Sequence, residues 1–199
     1  MLRAEDLTAI RGERLVFRDV GFAVAKGGAL ILSGRNGAGK TTLLRLLAGL
    51  VRPEAGRLFW NETDALSDLT AHANRVALLG HQDALKPGLT AAENLAFAAR
   101  LSGRPVAAAL ADLGLEELAD LPVRMLSAGQ KRRLALARVS LSSGRLWLLD
   151  EPTLGLDDPA VERLGVLLAR HRAAGGLIVA ATHVALPLPM AETLRLSAV

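Results

Sequence analysis

The residues with chemistry to offer fall into a few short clusters, the first being Gly34-Arg35-Asn36-Gly37-Ala38-Gly39-Lys40-Thr41, followed by Thr42. Its G-x-x-x-x-G-K-[ST] spacing is that of a phosphate loop. The glycines let the backbone fold closely around phosphates so that successive N–H groups point inward. Lys40 brings a point charge to the β and γ phosphates of a nucleotide such as ATP, and the Thr41 hydroxyl is placed to ligate Mg²⁺. The alternative is a glycine turn with a chance lysine. It is opposed by the apolar run before the cluster and the amphipathic stretch after it. The second cluster, Leu146-Trp147-Leu148-Leu149-Asp150-Glu151, is an apolar strand that delivers two acids at its C-terminal end. That is where α/β sheets place ligand chemistry. Asp150 is expected to hold Mg²⁺ through water. Glu151, on the opposite side of the pleat, is expected to polarise an attacking water as general base, a role typically worth about 10²–10⁴ in rate.

Between these clusters stands Leu126-Ser127-Ala128-Gly129-Gln130, running into Lys131-Arg132-Arg133, a basic tail that reads as helix surface. On residues alone Ser127 reads as a helix N-cap. Its hydroxyl, the small Ala128-Gly129 pair and the positive end of the helix would equally suit a phosphate. Three further residues are ambiguous by themselves. Gln82 and His183 each follow a strand, and a lone residue of either kind is commonly structural. Asp157 precedes Asp158-Pro159, the pattern of a helix N-cap. His72, His81 and His171 have no such setting and read as structural.

The elements that must position these residues are legible in outline. Leu2 to about Phe22 alternates in short apolar runs and predicts an antiparallel hairpin or meander. Ala29–Ser33 predicts a buried strand, and Thr41–Leu47 an amphipathic helix ended by Gly49. From about Thr90 to Leu121 the pattern is alanine- and leucine-rich with helical spacing, broken at Gly103-Arg104-Pro105 and Gly114. A helix follows from Ala128 to about Ser140. Strands return at Leu146–Leu149 and Leu177–Ala181, flanking a helix from Pro159 to Arg172, and a last strand-like piece covers Thr193 to Ser197. Strands alternating with helices imply an α/β fold with a mostly parallel sheet and a helical insertion.

Bulk properties narrow the setting. The 199 residues suit one domain with a sizeable core. Hydrophobic content of 51% is high, yet no stretch approaches the roughly 18–20 apolar residues that span a bilayer. The N-terminus, with acids at Glu5 and Asp6, lacks a signal-peptide plan, so a cytoplasmic location is expected. The net charge of +4 comes from scattered arginines, and 3% aromatic residues leave few stacking platforms. Nucleic acid is therefore not the expected partner. An apolar, slightly basic surface suits association with a membrane face.

The order of phosphate loop, Gln82, Leu126–Gln130, Asp150-Glu151 and His183 resembles that of ATP-binding cassette (ABC) ATPases, across essentially the entire chain. The resemblance implies a phosphate-loop NTPase core with N-terminal antiparallel strands and an inserted helical subdomain. This is one cassette over 1–199, with 1–84 and 145–199 as core and 85–144 as helical insertion. It implies ATP and Mg²⁺ as ligands. Gln82 would touch Mg²⁺ or its water, and His183 would contact the γ-phosphate and orient Glu151. Ser127, Gly129 and Gln130 would cap the ATP held by a second copy, with Asp157 at the dimer seam. It further implies a homodimer serving integral membrane subunits. The family usually stacks adenine on an aromatic residue, but this chain has no Tyr, and Arg11 stands near that place.

Softer features resemble one branch, the ATP-binding subunits of bacterial cytochrome c maturation. These are Leu79-Gly80-His81-Gln82, Leu89-Thr90-Ala91-Ala92-Glu93-Asn94-Leu95, the Ala128 variant of the signature with Lys131-Arg132-Arg133, and Trp147 before the acids. That branch implies haem export, or release of a haem-loaded chaperone, at the cytoplasmic face of the inner membrane. Another small-substrate exporter, a soluble ABC ATPase acting on nucleic acid, and a non-ABC phosphate-loop kinase or GTPase are the competing expectations.

Overall fold

The computed structural model describes residues 1–197. The early alternation forms two long antiparallel strands, β1 (Leu2–Arg11) and β2 (Arg14–Val24), so the expected hairpin extends slightly past Phe22. The buried run is β3 (Ala29–Ser33), and the phosphate loop joins it to α1 (Lys40–Leu47). Then follow β4 (Ala55–Trp60), β5 (Thr63–Asp64), α2 (Leu69–Ala73) and β6 (Val76–Leu79). The alanine-rich stretch forms α3 (Ala91–Ser102) and α4 (Val106–Ala111), separated at Gly103-Arg104-Pro105 as its pattern requires. α5 (Ala128–Ser140), β7 (Leu146–Asp150), α6 (Asp158–Ala173), β8 (Leu177–Ala181) and β9 (Glu192–Arg195) complete the order.

The strands form an antiparallel sheet of order β2-β1-β4-β5 and a parallel sheet of order β6-β7-β8-β3-β9. In the parallel sheet β7, β8 and β3 are direct neighbours. The loops at their C-terminal ends therefore meet at one edge: Glu151 onward, Thr182-His183 and the phosphate loop. Sheet order places the chemistry, as the rule for parallel α/β sheets anticipates.

The period of two decides which side chains go to which core. Leu146 and Leu148 of β7, with Leu177 and Val179 of β8, pack with Leu43, Leu44, Leu46 and Leu47 of α1 and Leu2, Leu7 and Phe17 of the antiparallel sheet. Trp147, Leu149, Ile178 and Ala180 face the other way, onto Leu164, Leu167 and Leu168 of α6 and Leu134 and Leu136 of α5. Both faces of the parallel sheet are thus covered, which is why its strands read as continuous apolar runs. Truncating one of the α1 leucines to Ala would cost about 2–5 kcal/mol and loosen the helix that starts at Lys40.

Two histidines expected to be structural are so. His72 is fully buried with Nε2 2.8 Å from the Leu47 carbonyl. His171 stacks on Trp147 with ring centroids 3.9 Å apart. Burial lowers the pKa of both below the ordinary imidazole value.

Candidate active site

α1 begins without a side-chain cap, because its first residues are committed to the loop. Gly39 enters the helix at φ 94°, and a Cβ there would lie 2.6 Å from Val16 Cγ1 and 2.9 Å from Phe17 Cδ1. Only glycine permits this approach of the loop to β2. Lys40 is buried, and its ammonium donates to the Gly34 carbonyl at 2.7 Å and the Arg35 carbonyl at 3.3 Å. Both acceptors belong to the loop itself, so the turn holds the Lys40 ammonium at its centre.

Parity along β7 sends Asp150 to the α1 side with Leu146 and Leu148, and there Thr41 Oγ1 donates to Asp150 Oδ2 at 2.8 Å. A hydroxyl and a carboxylate oxygen thus converge from opposite elements. Such a pair suits a hard cation that keeps several waters and shares phosphate oxygens, as Mg²⁺ does. Among the described residues no cluster of three or more His, Cys, Asp or Glu could hold a metal alone.

Glu151 is not aimed by the pleat, contrary to expectation. β7 ends at Asp150, and Glu151 adopts φ 47° immediately before Pro152, a conformation costing of order 1–3 kcal/mol for a non-glycine residue. Its surroundings impose it. The Glu151 N–H donates to the Ala181 carbonyl at 2.8 Å, its carbonyl accepts from Arg132 at 2.8 Å, and its carboxylate accepts from the His183 N–H at 3.3 Å. The His183 ring, on the turn after β8, has Nε2 3.0 Å from Lys40 Nζ and 3.4 Å from Glu151 Oε1. An ammonium only donates, so a bond from Lys40 requires Nε2 without its proton, whereas a bond to Glu151 requires Nε2–H. The two are mutually exclusive, and His183 is poised between a cation and a carboxylate.

These groups line a cleft of about 1020 Å³ together with Asn36, Gly37, Gly39 and Thr42. Arg11, Arg14, Leu15 and Val16, from β1 and β2, also line it. Of the remaining loop residues, Gly34 and Arg35 supply carbonyls to Lys40, and Ala38 is buried behind the turn.

The other expected site residues lie outside this cleft. Gln82 is exposed on the loop after β6, while its neighbour His81, expected to be structural, lines the cleft instead. Ser127 caps α5 in a reciprocal box with Gln130: the Gln130 N–H donates to Ser127 Oγ at 3.2 Å, and the Ser127 N–H donates to Gln130 Oε1 at 2.8 Å. This engages Ser127 Oγ only as an acceptor and leaves its O–H free to donate. A Cβ on Gly129 would sit 2.4 Å from the Gly155 carbonyl oxygen. Asp157 caps α6, accepting from the Ala160 N–H at 3.1 Å.

Arg14, Val16, the Thr153–Gly155 turn and Arg132 belong to this region without having been expected there. The hairpin register could have flagged the first two. Arg132, expected to be helix surface, is instead buried at 3% exposure, and no local signal marks it because its partners, the Asp83 carboxylate and the Gly80, Asp150 and Glu151 carbonyls, are distant in sequence.

Residues 17–154 match the family described as ABC transporter. The chain is 50% identical over 200 residues to the cytochrome c biogenesis ATP-binding export protein CcmA of Paramagnetospirillum magneticum, covering 97% of this chain and 92% of that protein. It is 53% identical over 188 residues to the protein of that name from Gluconobacter oxydans, covering 94% and 83%. With that of Pseudomonas aeruginosa it shares 42% over 203 residues and the full length of both. Its fold superposes on the ATP binding subunit of an ABC transporter with a TM-score of 0.82 at 28% identity, covering 92% of this chain and 79% of that one. On the dimeric bacterial ABC transporter cassette MJ0796 the TM-score is 0.85 at 25% identity, covering 98% and 94%. Relatives this similar over nearly the whole length make the chain a member of the ABC transporter family, among the ATP-binding export proteins of cytochrome c biogenesis.

Proposed function

We propose that this chain is the ATP-hydrolysing subunit of an export complex for cytochrome c maturation, acting as a homodimer that drives integral membrane subunits in haem export or in release of a haem-loaded chaperone. One observation carries the catalytic part. Phosphate loop, Asp150, Glu151 and His183 converge on a single cleft, whereas none of the signature residues from Leu126 to Gln130 lines it. The signature is well formed and lies elsewhere, as expected if it serves the ATP of a second copy.

ATP enters with its phosphates against the loop amides, and Lys40 exchanges the Gly34 and Arg35 carbonyls for phosphate oxygens. Thr41 and Asp150 would hold Mg²⁺, with Gln82 reaching it when its loop moves in. Bound there, the ion would supply Lewis-acid charge neutralisation to the phosphates. Glu151 takes a proton from the attacking water. The water oxygen bonds to the γ-phosphorus as the bond to the bridging oxygen breaks, releasing ADP and phosphate. Once Lys40 is drawn to phosphate, His183 Nε2 is free to carry a proton and donate to Glu151 or to a γ-oxygen. Across the seam, Ser127 offers its O–H, and the Gly129 and Gln130 amides at the α5 N-terminus offer positive dipole. Asp157, which follows the Gly155 that Gly129 abuts, would stand at the same seam. Residues 1–84 and 145–199 act as the core and 85–144 as the helical lobe that meets the membrane subunits.

Among the described residues no helix is long and apolar enough to cross a membrane. The chain would act from the cytoplasmic face of the inner membrane, with no nucleic-acid partner. Complementation tests this reading. In a bacterium lacking its own copy, the wild-type gene should restore haem-stained c-type cytochromes and Glu151→Gln should not. Restoration by Glu151→Gln would overturn the hydrolytic role. Failure of the wild type, expressed and folded beside its own membrane partners, would overturn the cytochrome c assignment.

A further inference from the structure

We propose that Arg132 is a positioning residue that ties Glu151 to the loop carrying Gln82, so that displacement of that loop resets the geometry of hydrolysis. The inference rests on reading Glu151 as the base.

The Arg132 side chain is only 4% exposed and both ends of its fork are in use. Nη1 donates to the Gly80 carbonyl at 3.1 Å and to Asp83 Oδ1 at 2.7 Å, on the loop after β6. Nη2 donates to the Glu151 carbonyl at 2.8 Å and to the Asp150 carbonyl, at the end of β7. Nε is buried without a partner. Here the planar fork is spent on spanning two segments at a fixed separation, which a lysine cannot do.

The same helix grips the loop a second time. Arg138 donates to the Asp83 carbonyl at 3.0 Å and to the Ala84 carbonyl. Gly80 to Ala84 is thereby fastened to α5, whose N-terminus is the signature. The Glu151 end of the linkage is sensitive because φ 47° is held there by surroundings, not by preference. A push on the loop moves one rigid guanidinium, and that guanidinium holds the carbonyl of the residue whose carboxylate faces His183.

The test is steady-state Mg-ATP hydrolysis and equilibrium ATP binding by the purified chain, with Arg132→Lys, Asp83→Asn, their double variant and Glu151→Gln. Arg132→Lys keeps the charge but loses the fork. It should lower kcat by about 10²-fold, the effect of misplacing a reacting group by an ångström, with KM and ATP affinity within about twofold. Asp83→Asn leaves the Glu151 contact and loosens the loop, so it should lower kcat less. The double variant should be no worse than Arg132→Lys, because both lie on one linkage. The proposal is overturned if either variant that folds keeps wild-type kcat, or if kcat and ATP affinity fall together. If Arg132→Lys does not fold, Asp83→Asn decides alone. Hydrolysis surviving in Glu151→Gln would instead overturn the assignment of the base.

Discussion

Gly129→Ala tests how closely the signature must approach its surroundings. The added Cβ would lie 2.4 Å from the Gly155 carbonyl oxygen, about 1 Å short of ordinary contact, and the obstacle is backbone rather than a flexible side chain. Gly155 itself sits at φ 74° and lines the cleft, so either the start of α5 or the wall of the ATP site must shift. Overpacking of this kind costs about 1–3 kcal/mol. In a chain of this size that lowers Tm by roughly 2–12 °C. A shift of about 1 Å near reacting groups costs on the order of 10²-fold in rate. Melting followed by circular dichroism and Mg-ATP hydrolysis on the same preparation give both numbers. Ala128→Ser, at the exposed preceding residue, is the control and should change stability by less than about 0.5 kcal/mol. A Gly129→Ala protein that melts with the wild type and hydrolyses ATP within about twofold of it would show that the signature tolerates a Cβ here.

Three further outcomes are expected. Thr41→Val removes the oxygen that pairs with Asp150 at 2.8 Å and should raise the Mg²⁺ requirement for nucleotide binding by about tenfold, the scale of a damaged metal shell; an unchanged Mg²⁺ titration would exclude Thr41 as a ligand. Arg11→Ala should raise KM for ATP a few-fold at constant kcat, since an exposed guanidinium over a ring contributes about 0.5–1 kcal/mol; unchanged KM would place the base elsewhere. Burial lowers the pKa of His72 and His171 in the fold, so the unfolded chain binds more protons as pH falls below about 6.5. Stability is then full above that pH and declines below it. Tm should drop between pH 7.5 and 5.5, and less steeply in His171→Phe, which keeps a ring on Trp147; a flat Tm would contradict this.

Motifs confined to short stretches are legible in the sequence alone. The phosphate loop needs only its own glycines and lysine, and β7 announces itself because both its faces are buried, making Leu146 to Leu149 uniformly apolar. The break at Gly103-Arg104-Pro105 was likewise written locally. What stayed hidden depends on partners far along the chain. Trp60 and its strand β4 pair with Leu2 at the start of the protein, and their short, half-exposed pattern carries little period. Glu151 was expected to follow the pleat, but the turn before Pro152 overrides it. Arg132 looked like surface in a basic run, because only the fold brings the Gly80 and Glu151 carbonyls to it.

Completion of each ATP site by a second copy of the chain is the proposal on which the mechanism rests. It is tested most directly by light scattering on the purified Glu151→Gln protein, which should bind ATP without consuming it. On adding saturating Mg-ATP, the mass should double from that of the 20.9 kDa chain, with one ATP retained per subunit, and Ser127→Arg in the same background should abolish the doubling. A protein that binds ATP yet stays monomeric would contradict the claim.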